Sequence, residues 1–503
     1  MNPLQGLLYG FSVCLIPINL FAALIGVFVG TLIGVLPGIG PVGTIALLLP
    51  ITLKMSPETA LIMLAGIYYG SVYGGSTTSI LLNIPGEAAS VVTCIDGYQM
   101  AKKGRAGAAL AVAAVGSFIA GTLGVIGLMF FAPLLAKVAL SFGPPEFFAI
   151  AIFGLCTLSR LSGGPMWQSL LVLALGLALA TVGMDPVSSF SRFTLGLNQL
   201  TQGIELVPVV MGLFGIGEVL SVAERAGGLP QITRVRLREL FPTGSEWRRA
   251  LPAIFRGTGV GFIWGLIPGP SPILSTFSSY SLERRLSKHP QEFGQGAIEG
   301  VAGPESANNA AVEGVMVPML SLGLPFTPGT AMLLAALMIQ GVQPGPLLIS
   351  ERPEVFWGVV VSLYIGNIAL LILNLPLVGL WVSMLRIPQS VLVALIVLLT
   401  LMGAYTINNS MLDLIVLVVM GIVGYIFRKI KVDISPMVLA LVLASMLEST
   451  FRQSLYMSEG DLMIFFRRPI SAAFMILLVV ILILPAIRQR VKTRRPPAPP
   501  ALP

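Results

Sequence analysis

GVLPGIGPVGT, Gly34 to Thr44, places Gly38, Gly40 and Gly43 at the G-x-G-x-x-G spacing of a dinucleotide-binding turn. Such a turn needs a strand before it, a helix after it and, about 20 residues further on, an acidic residue for the ribose. Here Pro41 interrupts the turn. The preceding LFAALIGVFVGTLIGV, Leu20 to Val35, is too long and too uniformly apolar for a half-buried strand, and the following TIALLLPITL is nearly as apolar. A soluble nucleotide fold does not suit this stretch, and its glycines need another explanation.

Of the 503 residues, 55% are hydrophobic and 10% charged, the composition of an integral membrane protein. Apolar runs recur at Gly107–Ala136, Phe147–Leu161, Trp167–Val182, Ile204–Val222, Val355–Leu375, Ser390–Tyr405, Leu412–Ile426, Met437–Met446 and Ile470–Leu484. Each is read as a membrane segment, although some fall short of the roughly 20 residues that cross a hydrocarbon core. MNPLQGLLYGFSVCLIPINL has neither a basic leader nor a small-residue cleavage site and reads as a retained membrane segment. Cys14, Cys94 and Cys156 are isolated and His289 is the only histidine, so neither a disulfide framework nor a Cys/His metal site is expected. Positive charge concentrates in short loops and in RQRVKTRR, Arg488 to Arg495, which reads as a cytoplasmic retention signal ahead of a proline-rich end.

The opening motif returns as GLIPGPSPILS, Gly265 to Ser275. Behind the first copy follow KMSPE (54–58), NIPGEA (83–88) and DGYQ (96–99); behind the second follow KHPQE (288–292), GLPFTPGTA (323–331) and QGVQ (340–343). The shared order marks a duplicated unit. Loop charge then sets the orientation of the copies. The first is basic at AKKGR (101–105) and LSRLSGG (158–164) and poor in positive charge at KMSPE and GMDPVSS (183–189). In the second, the equivalents of the poor loops are LERRLSKH (282–289) and FRKIKVD (427–433), whereas QPGPLL and AYTINN replace the rich ones. By the positive-inside rule, corresponding loops lie on opposite sides. The expected fold is thus an all-α integral membrane protein, a polytopic helical bundle of two inverted-topology repeats with broken or re-entrant helices. Residues 1–223 form the first repeat, 224–250 a cytoplasmic linker, 251–487 the second repeat and 488–503 a basic, Pro-rich cytoplasmic tail.

Glycine and proline interrupt each copy twice, at LPGIGP and NIPGEA and again at IPGPSP and LPFTPG. Backbone that leaves the helix at membrane depth is tolerated only where protein or a watery cavity satisfies it. The four breaks are therefore expected to meet at one interior site. Freed carbonyls and hydroxyls there would replace the hydration shell of a cation, and inward helix N-termini would present N–H groups to an anion. Candidate residues are Gly38, Gly40 and Thr44 at the first break, with Ser76, Thr77, Thr78, Ser79, Asn83, Gly86 and Glu87 at the second. The other copy offers Gly269 and Ser271, then Pro325, Thr327 and Thr330, and the segment GPESANNAAVEG adds Glu305, Ser306, Asn308 and Asn309. Tyr68, Tyr69 and Trp264 are read as interfacial or packing residues, and Gly176, inside an uninterrupted helix, is expected to tolerate a methyl group. Asp413 and Asp433 are read as helix-end or loop residues. An enzyme is not expected, because no helix carries a nucleophile and base at catalytic spacing. A passive ion or solute channel is the alternative to a transporter; inverted halves favour alternating access.

GVLPGIGP, YGGSTTSILLNIPGEAASVVTCIDGYQMAKKGRAGAAL (73–110), SKHPQEFGQGAIEGVAGPESANNAA (287–311) and GVQPGPLL (341–348) resemble, in order, the large membrane subunit of the tripartite tricarboxylate transporter family. The resemblance implies a prokaryotic inner-membrane permease working with a small membrane subunit and a periplasmic solute-binding protein. It also implies uptake of an organic acid driven by Na⁺ or H⁺, and no other cofactor. Pro270, Pro272 and LPFTPGTA depart from the family's small-residue turns and stiffen the breaks.

Overall fold

The computed structural model describes residues 2–35, 40–161, 164–185, 188–224, 241–384 and 389–493. Gly38, with residues 36–39 of the first break, most of the linker and the end of the tail lie outside the described residues. The chain is an all-α, polytopic membrane protein. With no water in a hydrocarbon core, backbone N–H and C=O groups must be paired within the segment, and apolar sequence accordingly becomes helix.

The first half runs α1 (Pro3–Cys14), α2 (Pro17–Val35), α3 (Gly40–Thr52), α4 (Pro57–Leu82), α5 (Val91–Lys102), α6 (Ala106–Ala139), α7 (Pro144–Leu161) and α8 (Met166–Ala180), then α9 (Leu206–Val210) and α10 (Gly217–Glu224) joined through a π turn. The second runs α11 (Gly244–Gly265), α12 (Ser271–Leu286), α13 (Glu299–Leu322), α14 (Pro328–Ile339), the single turn α15 (Leu348–Glu351), α16 (Pro353–Asn374), α17 (Val378–Met384), α18 (Gln389–Asn408), α19 (Met411–Lys429) and α20 (Ser435–Met457), followed by α21 (Ile464–Arg467) and α22 (Pro469–Thr493). Strand structure among the described residues is one two-residue pairing, Gly183–Met184 with Ser191–Arg192.

All nine apolar runs are helical. Among the described residues, α2, α6, α7, α16 and α19 are long and apolar enough to cross a membrane unaided. The run Met437–Met446 proves to be only the apolar start of α20. The N-terminal segment splits into two helices. At about 1.5 Å per residue, α1 is too short to span, and its Gly6 and Gly10 lie against Trp357 of α16.

Local sequence sets the helix limits. Ser56 in extended conformation, Pro57 at the first helical position and Glu58 in the first turn start α4. Asn83, left-handed at φ 57°, ends it. Gly323, left-handed at φ 70°, ends α13 in the same way.

A ladder of glycines holds each half together. Gly26, Gly30 and Gly34 of α2 press on the backbone of Met63, Ile67 and Ser71 in α4, so the two helices run parallel. Gly257, Gly261 and Gly265 of α11 press in the same order on Gly303, Ala307 and Ala311 of α13. Lipid supplies no hydrophobic drive between helices, so this close backbone approach is what small residues provide. Across the halves, α6 lies parallel to α13, with Gly116 at Ser306 and Gly124 at Glu313. Likewise α4 lies parallel to α16, with Ile62 at Gly358 and Tyr69 at Gly366.

Two loop clusters mark opposite ends. Lys103 of AKKGR donates to the Gln295 carbonyl at 2.6 Å, Arg105 pairs with Glu246, and Arg249 binds Glu292 and Glu299 at 2.6 and 2.7 Å. Asp96, fully buried, accepts the N–H groups of Gly294, Gly296 and Ala297 at 2.6 to 2.9 Å and the Tyr280 hydroxyl at 2.9 Å. At the other end, Gln340 Nε2 donates to the Thr52 carbonyl at 2.8 Å, joining the KMSPE loop to the loop after α14.

Candidate functional site

Within each half the ends of the interrupted segments lie near one another. Gly86 of the second break packs on the Gly34 carbonyl, where α2 ends, and on Gly75 of α4; a Cβ at Gly86 would lie 3.0 Å from that carbonyl oxygen. In the other half Pro268 and Phe326 both reach Gly154 of α7. The second breaks of the two halves share Tyr68 of α4, which lies beside Thr327 and within electrostatic reach of Glu87. Each second break leans on a helix of the opposite half, Glu87 on α13 and Thr327 on α4.

The first such contact is Glu87. Its backbone N–H and carbonyl exchange hydrogen bonds with Ser90 Oγ at 3.3 and 2.9 Å, shaping the turn into α5. Its carboxylate accepts from Asn308 Nδ2 of α13 at 2.6 Å. One turn away on α13, Glu305, 1% exposed, accepts from Ser76 Oγ of α4 at 2.5 Å and from Thr93 Oγ1 of α5. Asn309 Nδ2 donates to Ser117 Oγ of α6 at 2.6 Å and to the Glu305 carbonyl at 3.1 Å. Among the described residues no donor reaches Asn308 Oδ1 or Asn309 Oδ1, although both are buried.

The second contact is Thr327. Thr327 and Thr330 exchange side-chain-to-backbone bonds at 3.1 and 3.3 Å, capping α14. Thr327 lies beside Tyr68 of α4, whose ring also meets Gly329. Pro325 is buried in the turn that leads there. Tyr68 precedes Ser76 by two helical turns, about 12 Å along α4. Through Tyr68 the uncharged contact adjoins the acidic one.

Other sequence-derived candidates have local tasks. Thr78 and Ser79 hydroxyls return to the Gly75 carbonyl at 3.0 and 2.9 Å, Ser306 to Ala302 at 2.8 Å, Thr44 to Gly40 at 2.7 Å and Ser271 to Ile267 at 3.0 Å. Thr77 is buried. Asn83 is exposed and its left-handed backbone is its evident contribution. Gly40 and Gly269 have φ of +62° and +146°, values that a Cβ disfavours. Gly38 lies outside the described residues. The harmless methyl expected at Gly176 is corrected: it would sit 2.5 Å from the Met437 carbonyl of α20.

Sequence reading missed Thr93, Ser117 and Asn367. It also gave Tyr69 a packing role, whereas Tyr69 is fully buried and its hydroxyl donates to Asn367 Oδ1 of α16 at 3.1 Å. Amphipathic spacing could not flag these residues, because Thr93 stands in a short helix with polar residues all round and Ser117 and Asn367 stand in long helices with no continuous polar stripe. Asp413 does lie in the first turn of α19, and Asp433 in the loop after it.

Residues 20–439 match the tripartite tricarboxylate transporter TctA family. The chain belongs to that family. An uncharacterized 52.8 kDa protein in the TAR-I ttuC′ 3′ region of Agrobacterium vitis is 46% identical over 497 residues, covering 97% of this chain and 98% of the relative. An uncharacterized protein in the TAR-II ttuC′ 3′ region of the same organism is 44% identical over 233 residues, 46% of this chain and 96% of the relative. No solved structure matches the chain. As a TctA-family protein the chain is a membrane transporter component of a tripartite system, and the TctA match takes in α4, α13 and all four breaks.

Proposed function

We propose that the chain is the large permease subunit of a binding-protein-dependent secondary transporter of the prokaryotic inner membrane. In this reading it imports a tricarboxylate or related organic acid by cation symport with alternating access. A small membrane subunit and a periplasmic solute-binding protein complete the system, and the chain itself performs no catalysis. The observation that carries the reading is the crossed arrangement of the breaks: Glu87 of one half bonded to Asn308 of the other, and Thr327 of that half set on Tyr68 of the first.

The two contacts differ in charge, which supports opposite ligands. Around Glu87 and Glu305, carboxylates and the free Asn308 Oδ1 suit a cation. At the start of α14 no acid stands in the turn 323–329, and helix N–H groups beside Thr327 suit a carboxylate anion. Rocking of one half against the other would uncover such a junction from either side in turn. The inverted orientation is supported by the loop clusters: AKKGR lies with the loop after LERRLSKH, and the KMSPE loop lies with the loop after α14. On that orientation the basic cluster and the C-terminal tail are cytoplasmic.

Uptake of labelled di- and tricarboxylates by the reconstituted three-component complex tests the proposal. Import that depends on the solute-binding protein is the expected result. A complex that imports none of these acids, or that works equally well without its partners, is not this permease.

A further inference from the structure

Glu313 of α13 is fully buried, and among the described residues neither carboxylate oxygen receives a well-formed hydrogen bond, the Tyr69 hydroxyl and the residue's own backbone N–H being the donors nearest to hand. It packs on Gly124 of α6, where a Cβ would come within 3.0 Å of Glu313 Oε2. The ionisable groups facing it are Tyr69 and Tyr68 of α4; the facing positions of α6 are glycines. The Tyr69 hydroxyl stands beside the carboxylate but gives its hydrogen to Asn367 Oδ1 of α16. Gly121 of α6 leaves the space in which Tyr69 and Asn367 meet. One turn back along the same face of α13, Asn309 Oδ1 also lacks a donor.

An ionised carboxylate without hydrogen bonds or a cation is costly in a water-free interior. A proton removes that cost, needs no cavity, and turns an acceptor-only group into one that can donate. We propose that Glu313 is a proton-carrying site of the transport cycle, with the Tyr69 hydroxyl as its toggle. With Glu313 protonated, Tyr69 donates to Asn367, the arrangement seen here. When the proton leaves, the same hydroxyl swings to the carboxylate and releases Asn367. Because Tyr69 belongs to the first half and Glu313 and Asn367 to the second, proton loss alters the contact between the halves. This deepens the permease reading, on which its role in coupling rests, by making the proton a coupling ion.

Two measurements test it. With labelled citrate and an inwardly directed proton gradient imposed on proteoliposomes holding the full complex, wild-type accumulation should rise at least tenfold, and that of Glu313→Gln less than twofold. An equal response in both overturns the proposal. Infrared pH-difference spectra of the purified full chain read the carboxyl group without any substrate. A protonated-acid carbonyl band at neutral pH that is missing from Glu313→Gln supports the proposal, and its absence from the wild type overturns it. In Tyr69→Phe, where the ionised form loses its donor, the titration of that band should move up by about one pH unit, a tenfold change in proton affinity. An unshifted titration eliminates the toggle. If citrate and the other acids are not transported at all, the permease reading fails, whereas the infrared result still decides the proton site.

Discussion

Asn308 Nδ2 of α13 lies 2.6 Å from Glu87 Oε1, so a residue of the second half holds the break of the first. Hydrogen bonds to charged groups are worth about 1.5–3 kcal/mol, and this one ties the acidic contact to a helix that also carries Glu305. Asn308→Ala and Glu87→Gln should each raise the coupling-ion concentration for half-maximal uptake about tenfold. The double variant should be no worse than the poorer single one, since both remove one interaction. Additive losses would separate the two residues.

Ser76 and Thr78 look alike in the sequence and differ in the fold. Ser76 donates to buried Glu305, whereas Thr78 returns to a carbonyl of its own helix. Ser76→Ala strips one of two donors from a buried carboxylate and should cost about 1–3 kcal/mol. Thr78→Ala should stay within about 0.5 kcal/mol. Thermal unfolding of the two purified variants in detergent checks the difference, and equal shifts would refute it.

Glycine positions separate packing from backbone strain. Gly261→Ala drives a Cβ into the Ala307 backbone and should prevent the α11/α13 pairing, read as loss of folded protein on size exclusion. Gly259→Ala, two residues away with nothing within 4 Å of the added carbon, should be silent. Gly269→Ala meets both a φ of +146° and Leu161 at 2.8 Å and should fold less stably by about 1–3 kcal/mol. Gly269→Ala as stable as wild type would show that the turn adapts freely.

Orientation follows from the loop clusters. Lys103→Cys and Arg285→Cys should react with an impermeant thiol reagent only after the cytoplasmic face is opened, and Lys54→Cys should react in intact cells. Labelling of Arg285→Cys from outside would reverse the assignment of the second half.

Several features were legible in the sequence because their chemistry is local. NIPGEA and LPFTPG announce breaks through Gly and Pro; the first falls between helices, at 83–90, and the second spans the gap at 323–327 and the start of α14. Composition alone called for helices, and the apolar runs supplied them. The glycine ladders went unread, since in a uniformly apolar helix no polar face marks which small residues touch a neighbour. Thr78, Ser79 and Ser306 were drawn in as ligands by type, but a hydroxyl in a helix has a carbonyl of the preceding turn within reach. Glu313 ended a segment already noted for Glu305 and Asn309. Only the fold reveals that Glu305 holds two hydroxyl donors whereas the hydroxyl beside Glu313 gives its hydrogen to Asn367.

The central claim is carriage of an organic acid against its gradient through the junction of the two halves. Its most direct test is accumulation of a labelled carboxylate by proteoliposomes holding the three-component complex, with a Na⁺ or proton gradient first imposed and then collapsed by ionophore. Accumulation above the external concentration that disappears when the driving gradient is collapsed is the predicted result. Flux that stops at equal concentrations on both sides, whatever gradient is imposed, would contradict it and identify a pore.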